Sequence, residues 1–504
     1  MKWKLQASRL FGIDLRSLAL FRVAIASILL SDLAVRAGDL VAHYTDDGVL
    51  PRSALIGSDL LWHHANLSLH LVNGSAAFQA VLFTVAAIAG LLLLVGYRTR
   101  LAAIASWVLL VSVQNRNPLV LQGGDVLLRC ALFWALFLPL GGRWSLDAVK
   151  NRQSGAEPAP ERIFSAASVA LLLQVALVYW QSAALKSGEE WIPDGTAIYY
   201  ALQIEQFVKP FGVFLRQFPE LMKVLTFATW YWEALGPFLL FSPLFFVPLR
   251  VLAIAGFIGL HVGLYFAMEL GVFPFVSTAV MLPFLPSELW RQISVTSFPH
   301  LRAVVERIAE RLPPTPAPRF HTRVPVQAAV AACFVYVVVL NVEGVKRSRL
   351  ELSYAAEVPS QVLRVDQLWN MFAPYPLVED GWFVVPGELE DGSPVDVYAM
   401  SEGPVSWDRP KSVAAMYPND RWRSLLMYLW TEEYADFRLY YARNLCRIWN
   451  ADRPPGRRLA TFEINFMAKV TPKPGSQPPT PERVNLWEHE CLRRPPRALS
   501  TQGE

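Results

Sequence analysis

LLLQVALVYWQSAALKSGEEW, residues 171–191, begins as an apolar run and ends on a lysine, two glutamates and a tryptophan. A helix crosses the hydrocarbon of a bilayer with about 20 mostly apolar residues, and the segment 164–185 supplies them. The stretch therefore predicts a membrane span with Lys186 at its lip. An amine in that place has two readings. It snorkels to the interface, paired with Glu189 or Glu190. Alternatively it is held among apolar walls, where lost hydration lowers its pKa and a neutral amine serves as base or nucleophile near neutral pH.

The chain around it reads the same way. Its 504 residues are 53% hydrophobic and only 17% charged, with a mean hydropathy of +0.30. That is too apolar for a soluble enzyme of this length and points to a polytopic membrane protein. A net charge of +4, with no long basic tract interleaved with aromatics, excludes nucleic acid as a partner. Apolar segments at 16–36, 76–96, 101–114, 126–141, 164–185, 221–243, 248–267, 271–287 and 324–342 predict an all-α polytopic bundle of about nine transmembrane helices. The first has no small-residue cleavage site after a short core and reads as a retained span. Proline and glycine inside several segments, as in FPF at 273–275, are tolerated where neighbouring helices satisfy the freed backbone.

Basic residues collect at the N-terminus (Lys2, Lys4, Arg9), in the turn holding Arg98 and Arg100, and in the segments 142–163 and 288–323, the last ending near Arg319 and Arg323. With nine spans all of these fall on one side, which the positive-inside rule makes cytoplasmic. The expected place is the cell inner membrane, with a cytoplasmic N-terminus. The opposite loops hold His43, His63, His64, Asp125, Lys186, Glu189 and Glu190, so the polar chemistry faces outward. After a membrane domain at 1–342, residues 343–504 carry no span-length apolar run. Alternating stretches such as GWFVVPGELEDGSPVDVYAM, 381–400, predict a small α+β or mostly β extracytoplasmic domain.

Asp125, Arg129, Lys186, Glu233 and His261 are ionisable groups at or near membrane depth. Insertion of such a group costs roughly 2.5 kcal/mol or more, so each normally faces a cavity or a partner. Arg22 and Asp32 lie near the ends of the first span and read as snorkelling or paired. Glu233, beside Trp230 and Trp232, reads as a helix–helix hydrogen bond or as a site residue. His261 is equally open to a core reading. His63 and His64 are neighbours that would point about 100° apart on a helix, which argues against shared ligation. No CxxC, HExxH, GxSxG or phosphate loop occurs, and no metal is expected. Cys130 and Cys333 read as buried small residues. A Cys446–Cys491 disulfide is permitted in an oxidising compartment, and the spacing does not specify it.

Five motifs then occur in order: DLRSLALFRVAIASILLSDL (14–33), HYTDDGVLPR (43–52), NRNPLVLQGGDVLLRCALFWALFLPLGGRWSLD (115–147), ALKSGEEW with DGTAIYYAL (184–202), and HVGLYFAMELGVFPF (261–275). Together they resemble the HTTM domain, the membrane part shared by vitamin K-dependent gamma-carboxylases and many bacterial proteins, over roughly residues 10–290. In the carboxylases a lysine five residues before a tryptophan, in a K-x-D-x-D-W pattern, is thought to deprotonate vitamin K hydroquinone. Lys186 stands five before Trp191, with Gly188 and Glu190 in place of the two aspartates. The family's histidine ten residues before a glycine is matched by His261 and Gly271, and Trp144, Ser145, Asp147 and Glu233 match positions that read as architectural.

The resemblance implies a carbon–carbon lyase-type, quinol-dependent carboxylase or oxygenase. Lys186 would be its general base toward a reduced quinone, and His261 would hold or polarise a reacting group. Asp125, Glu190, Trp191 and Glu233 are expected to bind substrate or cofactor. Besides the lipid bilayer, an exported protein or peptide is the expected partner; oligomeric state is open. Two departures favour a non-catalytic protein that binds a lipid, a quinone or an exported partner. Gly123, Gly124 and Asp125 stand where the carboxylases have an Asn-His pair, and the outer domain is short. In that domain Trp369, Asn370, Phe372, Trp382, Arg421, Trp422 and Arg423 form either a binding face or the filling of a core packed on the bundle.

Overall fold

The computed structural model describes the chain apart from residues 1, 59–66, 293–298, 314, 317–319, 346–349, 478 and 493–504, so His63, His64 and Arg319 lie outside the described residues. Helices occupy all nine predicted apolar segments: α1 Leu15–Gly38, α2 Ala76–Val95, α3 Thr99–Arg116, α4 Gly123–Ala135, α5 Ala166–Leu185, α6 Pro219–Leu240, α7 Phe246–Ala267, α8 Phe273–Ala279 and α9 Val324–Glu343. Local chemistry sets their ends. Asp14 caps α1, its carboxylate accepting from Arg16 N at 2.8 Å. Gly96, at φ +69°, closes α2 while Tyr97 N reaches back to Leu92 O. Ser165 and Ser168 exchange capping hydrogen bonds at the start of α5.

Five of these helices, α1, α2, α5, α7 and α9, are long and apolar enough to cross a membrane, rather than nine. The others fall short for visible reasons. α3 mixes in Ser106, Ser112, Gln114 and Asn115, α6 carries Glu220, Lys223 and Glu233, and α4 and α8 are only 13 and 7 residues long. They still share one core, in which Leu128, Trp134, Leu171, Phe257 and Phe284 are fully buried.

After α9 the chain turns back on itself. Helix α10, Tyr354–Leu363, lies along α9, with Tyr336 Oη donating to Ala356 O at 2.6 Å. Residues 364–371 then run irregularly along the bundle, with Val365 and Trp369, each 1% exposed, entering its core. Irregular backbone is tolerated inside a bundle only when protein groups satisfy it. Arg129 donates to Arg364 O and Asp366 O at 3.0 and 2.6 Å, and Trp369 N donates to Gln181 Oε1 at 2.8 Å.

The remainder is a sheet packed with two helices, α11 Asp420–Trp430 and α12 Arg438–Asn450. The long strand β5, Leu459–Val470, pairs along one edge with β1, Glu379–Val384, and then β2, Pro386–Leu389. Along its other edge it pairs with β6, Glu482–Glu490. Strands β3, Pro394–Asp396, and β4, Ser401–Glu402, extend the sheet from β2. Trp382, Phe383 and Phe466 fill its core with Leu425 and Trp449 of the helices, so the α+β reading holds. Cys446 on α12 is disulfide-bonded to Cys491 just past β6.

Candidate functional site

Lys186 is the C-terminal cap of α5, its backbone N–H donating to Ser182 O. The chain must turn away from the helix there, and the side chain folds inward instead of snorkelling. Only 6% of the residue is exposed. Its Nζ forms an ion pair with Glu233 of α6, donates to Ser182 Oγ at 3.0 Å, and sits over the Trp191 ring, 4.7 Å from the centroid. The amine is therefore not held among apolar walls, as one reading of the sequence had it: a carboxylate, a hydroxyl and an indole face surround it. Trp230 of α6 adds a hydrogen bond to Lys186 O at 3.3 Å. Glu190 contributes its backbone, with its carbonyl accepting from Thr196 N and Ala197 N.

A second polar pair lies within electrostatic reach of the first. Tyr179, two turns below Lys186 on α5, shares a hydrogen bond of 2.8 Å with His261 Nε2 of α7. Its ring stacks on Phe257 at 4.1 Å, and Phe273 meets the imidazole edge-on at 5.5 Å. The charged neighbour of the imidazole is Lys186, and that of the Tyr179 hydroxyl is Glu233. His261 is 2% exposed, and its Nδ1 has no hydrogen-bond partner among the described residues. The fold thus brings Lys186, Glu233, Trp191 and His261 together and adds Tyr179 and Ser182, which nothing in the local sequence distinguishes from other polar residues of a span. Neither of the two cavities described in the bundle is lined by these residues. One, of about 30 Å³, lies beside Asp32, Arg36 and His70. The other, about 440 Å³, lies between α4 and α9, lined by Phe133, Trp134 and Val330 among others.

Asp125 stands apart from this group. It is fully buried at the start of α4, in a cluster with Asp32, Arg36 and Arg421. Arg36 donates to Asp32 Oδ2 at 2.7 Å, to Asp125 Oδ1 at 2.5 Å and to Tyr44 Oη at 2.8 Å. Arg421, from α11 of the C-terminal domain, donates to Asp32 Oδ1 at 2.6 Å, to both Asp125 oxygens and to Val120 O at 2.8 Å. Two carboxylates face two guanidinium groups, so the formal charges balance inside the protein.

A model of the HTTM domain matches residues 12–290, which is more than half of the chain. The chain belongs to the HTTM domain family. No curated protein and no solved structure matches it.

Within this HTTM domain the positions that differ from the carboxylase pattern have structural explanations. A Cβ on Gly124 would lie 2.7 Å from Phe273 N, so α4 and α8 pack too closely there for any larger side chain. Asp125 serves the buried ion cluster, and Gln122 next to it reaches the C-terminal domain through Asp420 Oδ2 at 2.7 Å. Asp147 accepts from Arg98 N, Thr99 N and Thr99 Oγ1, which fixes the start of α3. Arg22 does not snorkel: it is 1% exposed and donates to the carbonyls of Leu140, Arg143, Leu94 and Trp144. The aromatic and arginine residues of the C-terminal segment mostly fill cores. Trp369 enters the bundle, Trp382 the sheet, and Arg421 the ion cluster.

Proposed function

We propose that this HTTM protein is a membrane-embedded acid–base catalyst of the carboxylase-like lyase type, acting on a lipid-soluble hydroquinone through Lys186. The observation that carries this reading is the placement of the Lys186–Glu233 pair beside the Tyr179–His261 pair, all four side chains buried. Buried ionisable groups at membrane depth are costly and mark functional sites. A bound hydroquinone would supply a phenolic proton and reducing equivalents for oxygen. His261 Nδ1, buried and without a hydrogen-bond partner among the described residues, is the position that would hold such a group.

Each side chain then has a role. Lys186 accepts the phenolic proton once Glu233 has taken the one that its ammonium carries. Ser182 and Trp191 keep the amine in place. With the Tyr179 hydroxyl donating to Nε2, the imidazole carries its proton on Nδ1 and presents a donor to the ligand oxygen. The acceptor substrate is an exported protein or peptide. The bundle lies in the inner membrane, with the N-terminus cytoplasmic and the C-terminal domain outside. The basic loops support this orientation, as does the Cys446–Cys491 disulfide, a bond that persists in oxidising compartments.

Reduced quinone, oxygen and labelled bicarbonate supplied to the purified protein in liposomes test the reading. Wild type should consume quinol, and Lys186→Ala should slow it by roughly 10²-fold or more, the usual effect of removing a general base. Equal turnover by the two would remove Lys186 from the chemistry. A second reading is a non-catalytic binder of a lipid, a quinone or an exported partner. It is favoured by the engagement of the amine by Glu233, Ser182 and Trp191 together. Saturable quinone binding without turnover would select it.

A further inference from the structure

The Lys186 site has a water side and a lipid side, and the two are closed differently. On the water side, residues 370–375 of the returning chain lie across it. Trp191 Nε1 donates to Phe372 O at 3.0 Å and Gly188 N donates to Pro374 O at 2.9 Å. A Cβ at Gly188 would lie 2.5 Å from Glu190 Oε2 and 3.0 Å from both Pro374 O and the Tyr375 Cβ. Phe372 holds φ at +55°, a left-handed conformation costly for a residue with a side chain. That conformation turns its carbonyl onto the Trp191 indole, whose ring covers the amine. The strap is anchored at its far end as well, because the domain that follows it is pinned to the bundle by Arg421.

Elsewhere the site is bounded by α6 and α7, whose outward faces are apolar. α6 turns Glu233 inward, while Leu221, Val224, Tyr231, Leu235 and Phe238 recur along its exposed face. α7 likewise buries His261, while Gly259 and Gly263 have nothing within 4 Å of where a Cβ would sit.

We propose that residues 370–375 form a strap that seals the Lys186 site against the outer aqueous phase and positions Trp191 on the amine, so that a ligand reaches Lys186 from the lipid. The proposal rests on the reading of Lys186 as a ligand site, but its test does not use turnover. Ser182→Cys places a thiol where the hydroxyl now accepts from Lys186 Nζ at 3.0 Å, with little change in volume. The protein in liposomes is treated with a sulfonated, water-soluble thiol reagent or with a maleimide that partitions into the bilayer. Modification at position 182 is then read by peptide mass spectrometry, which separates it from Cys130 and Cys333.

The lipid-soluble reagent should modify position 182 at least roughly tenfold faster than the sulfonated one. Adding Trp191→Phe, which keeps a ring but loses the hydrogen bond to Phe372, should raise the sulfonated rate by roughly tenfold, the shift expected from one buried hydrogen bond. Gly188→Ala should do the same, since its methyl crowds Pro374 O and Tyr375 together with the Glu190 carboxylate. Equal rates for the two reagents without those substitutions would overturn the proposal. So would modification by neither reagent in the folded protein when both modify the denatured one. If the labelling pattern holds while quinol oxidation is absent, the strap stands and the catalytic reading falls.

Discussion

Replacing Arg421 with methionine should detach the C-terminal domain from the bundle. The guanidinium is 1% exposed and bonds both Asp32 and Asp125, and the only other cation of the cluster among the described residues is Arg36. Arg421→Met keeps much of the volume but leaves two buried carboxylates facing one guanidinium. Asp125 Oδ2 then retains only the backbone N–H of Gln122 at 2.8 Å. Removing one partner of a buried ion pair costs about 3–5 kcal/mol, because the other charge stays behind unpaired. Arg421→Lys restores the charge without the fork that reaches two carboxylates, and should recover only part of the loss. The decisive variant is Arg421→Met with Asp125→Asn. It rebalances the cluster, so the second substitution should stabilise the first by about 2 kcal/mol or more, a coupling that separated sites do not show. The assay is urea unfolding in detergent, followed by tryptophan fluorescence. Trp422 reports on docking directly, since its Nε1 donates to Asp39 Oδ1 at 3.0 Å and its ring lies 4.5 Å from that of His43. A single mutant with the wild-type midpoint, or a double mutant no better than the single, would refute the assignment of Arg421 as the clasp.

Two further outcomes follow from the C-terminal domain. Burial pushes Asp380 up to about 6 from the ordinary aspartate value, against the opposing hydrogen bonds from Glu205 N and Gly381 N. The folded protein therefore holds this proton more tightly than the unfolded chain, and the stability that Asp380 contributes is fully present below about pH 4 and is lost as pH rises through about 6. The loss amounts to about 3 kcal/mol, which Asp380→Asn should abolish in urea midpoints taken across that range. The disulfide joins residues 45 apart in sequence, for which chain-entropy estimates give about 4 kcal/mol. Cys446→Ser should lower the unfolding midpoint of this domain and remove its sensitivity to dithiothreitol; unchanged melting would show that the bridge adds no stability.

The sequence by itself determined that this is a helical membrane protein of the HTTM family with a mixed soluble region at its C-terminal end. Hydropathy is a sum over a local window, and cap residues such as Asp14 and Ser165 act on their own helix. The nine helical segments were therefore legible without tertiary information. Lys186 and His261 could be singled out because an ionisable group in an apolar run is costly wherever it ends up. Their partners could not. Glu233 is 47 residues from Lys186, Tyr179 is 82 from His261, and Arg421 is 389 from Asp32. Nothing in a local pattern chooses among the carboxylates that might meet a given cation. The return of residues 364–371 into the bundle was equally invisible, since that stretch is not apolar enough to mark itself. It is stable there because Arg129 donates and Gln181 accepts where water would otherwise be needed. Only the tertiary structure decided that Asp125 is spent on holding two domains together, and that the amine of Lys186 lies beneath a strap of the chain's own C-terminal half.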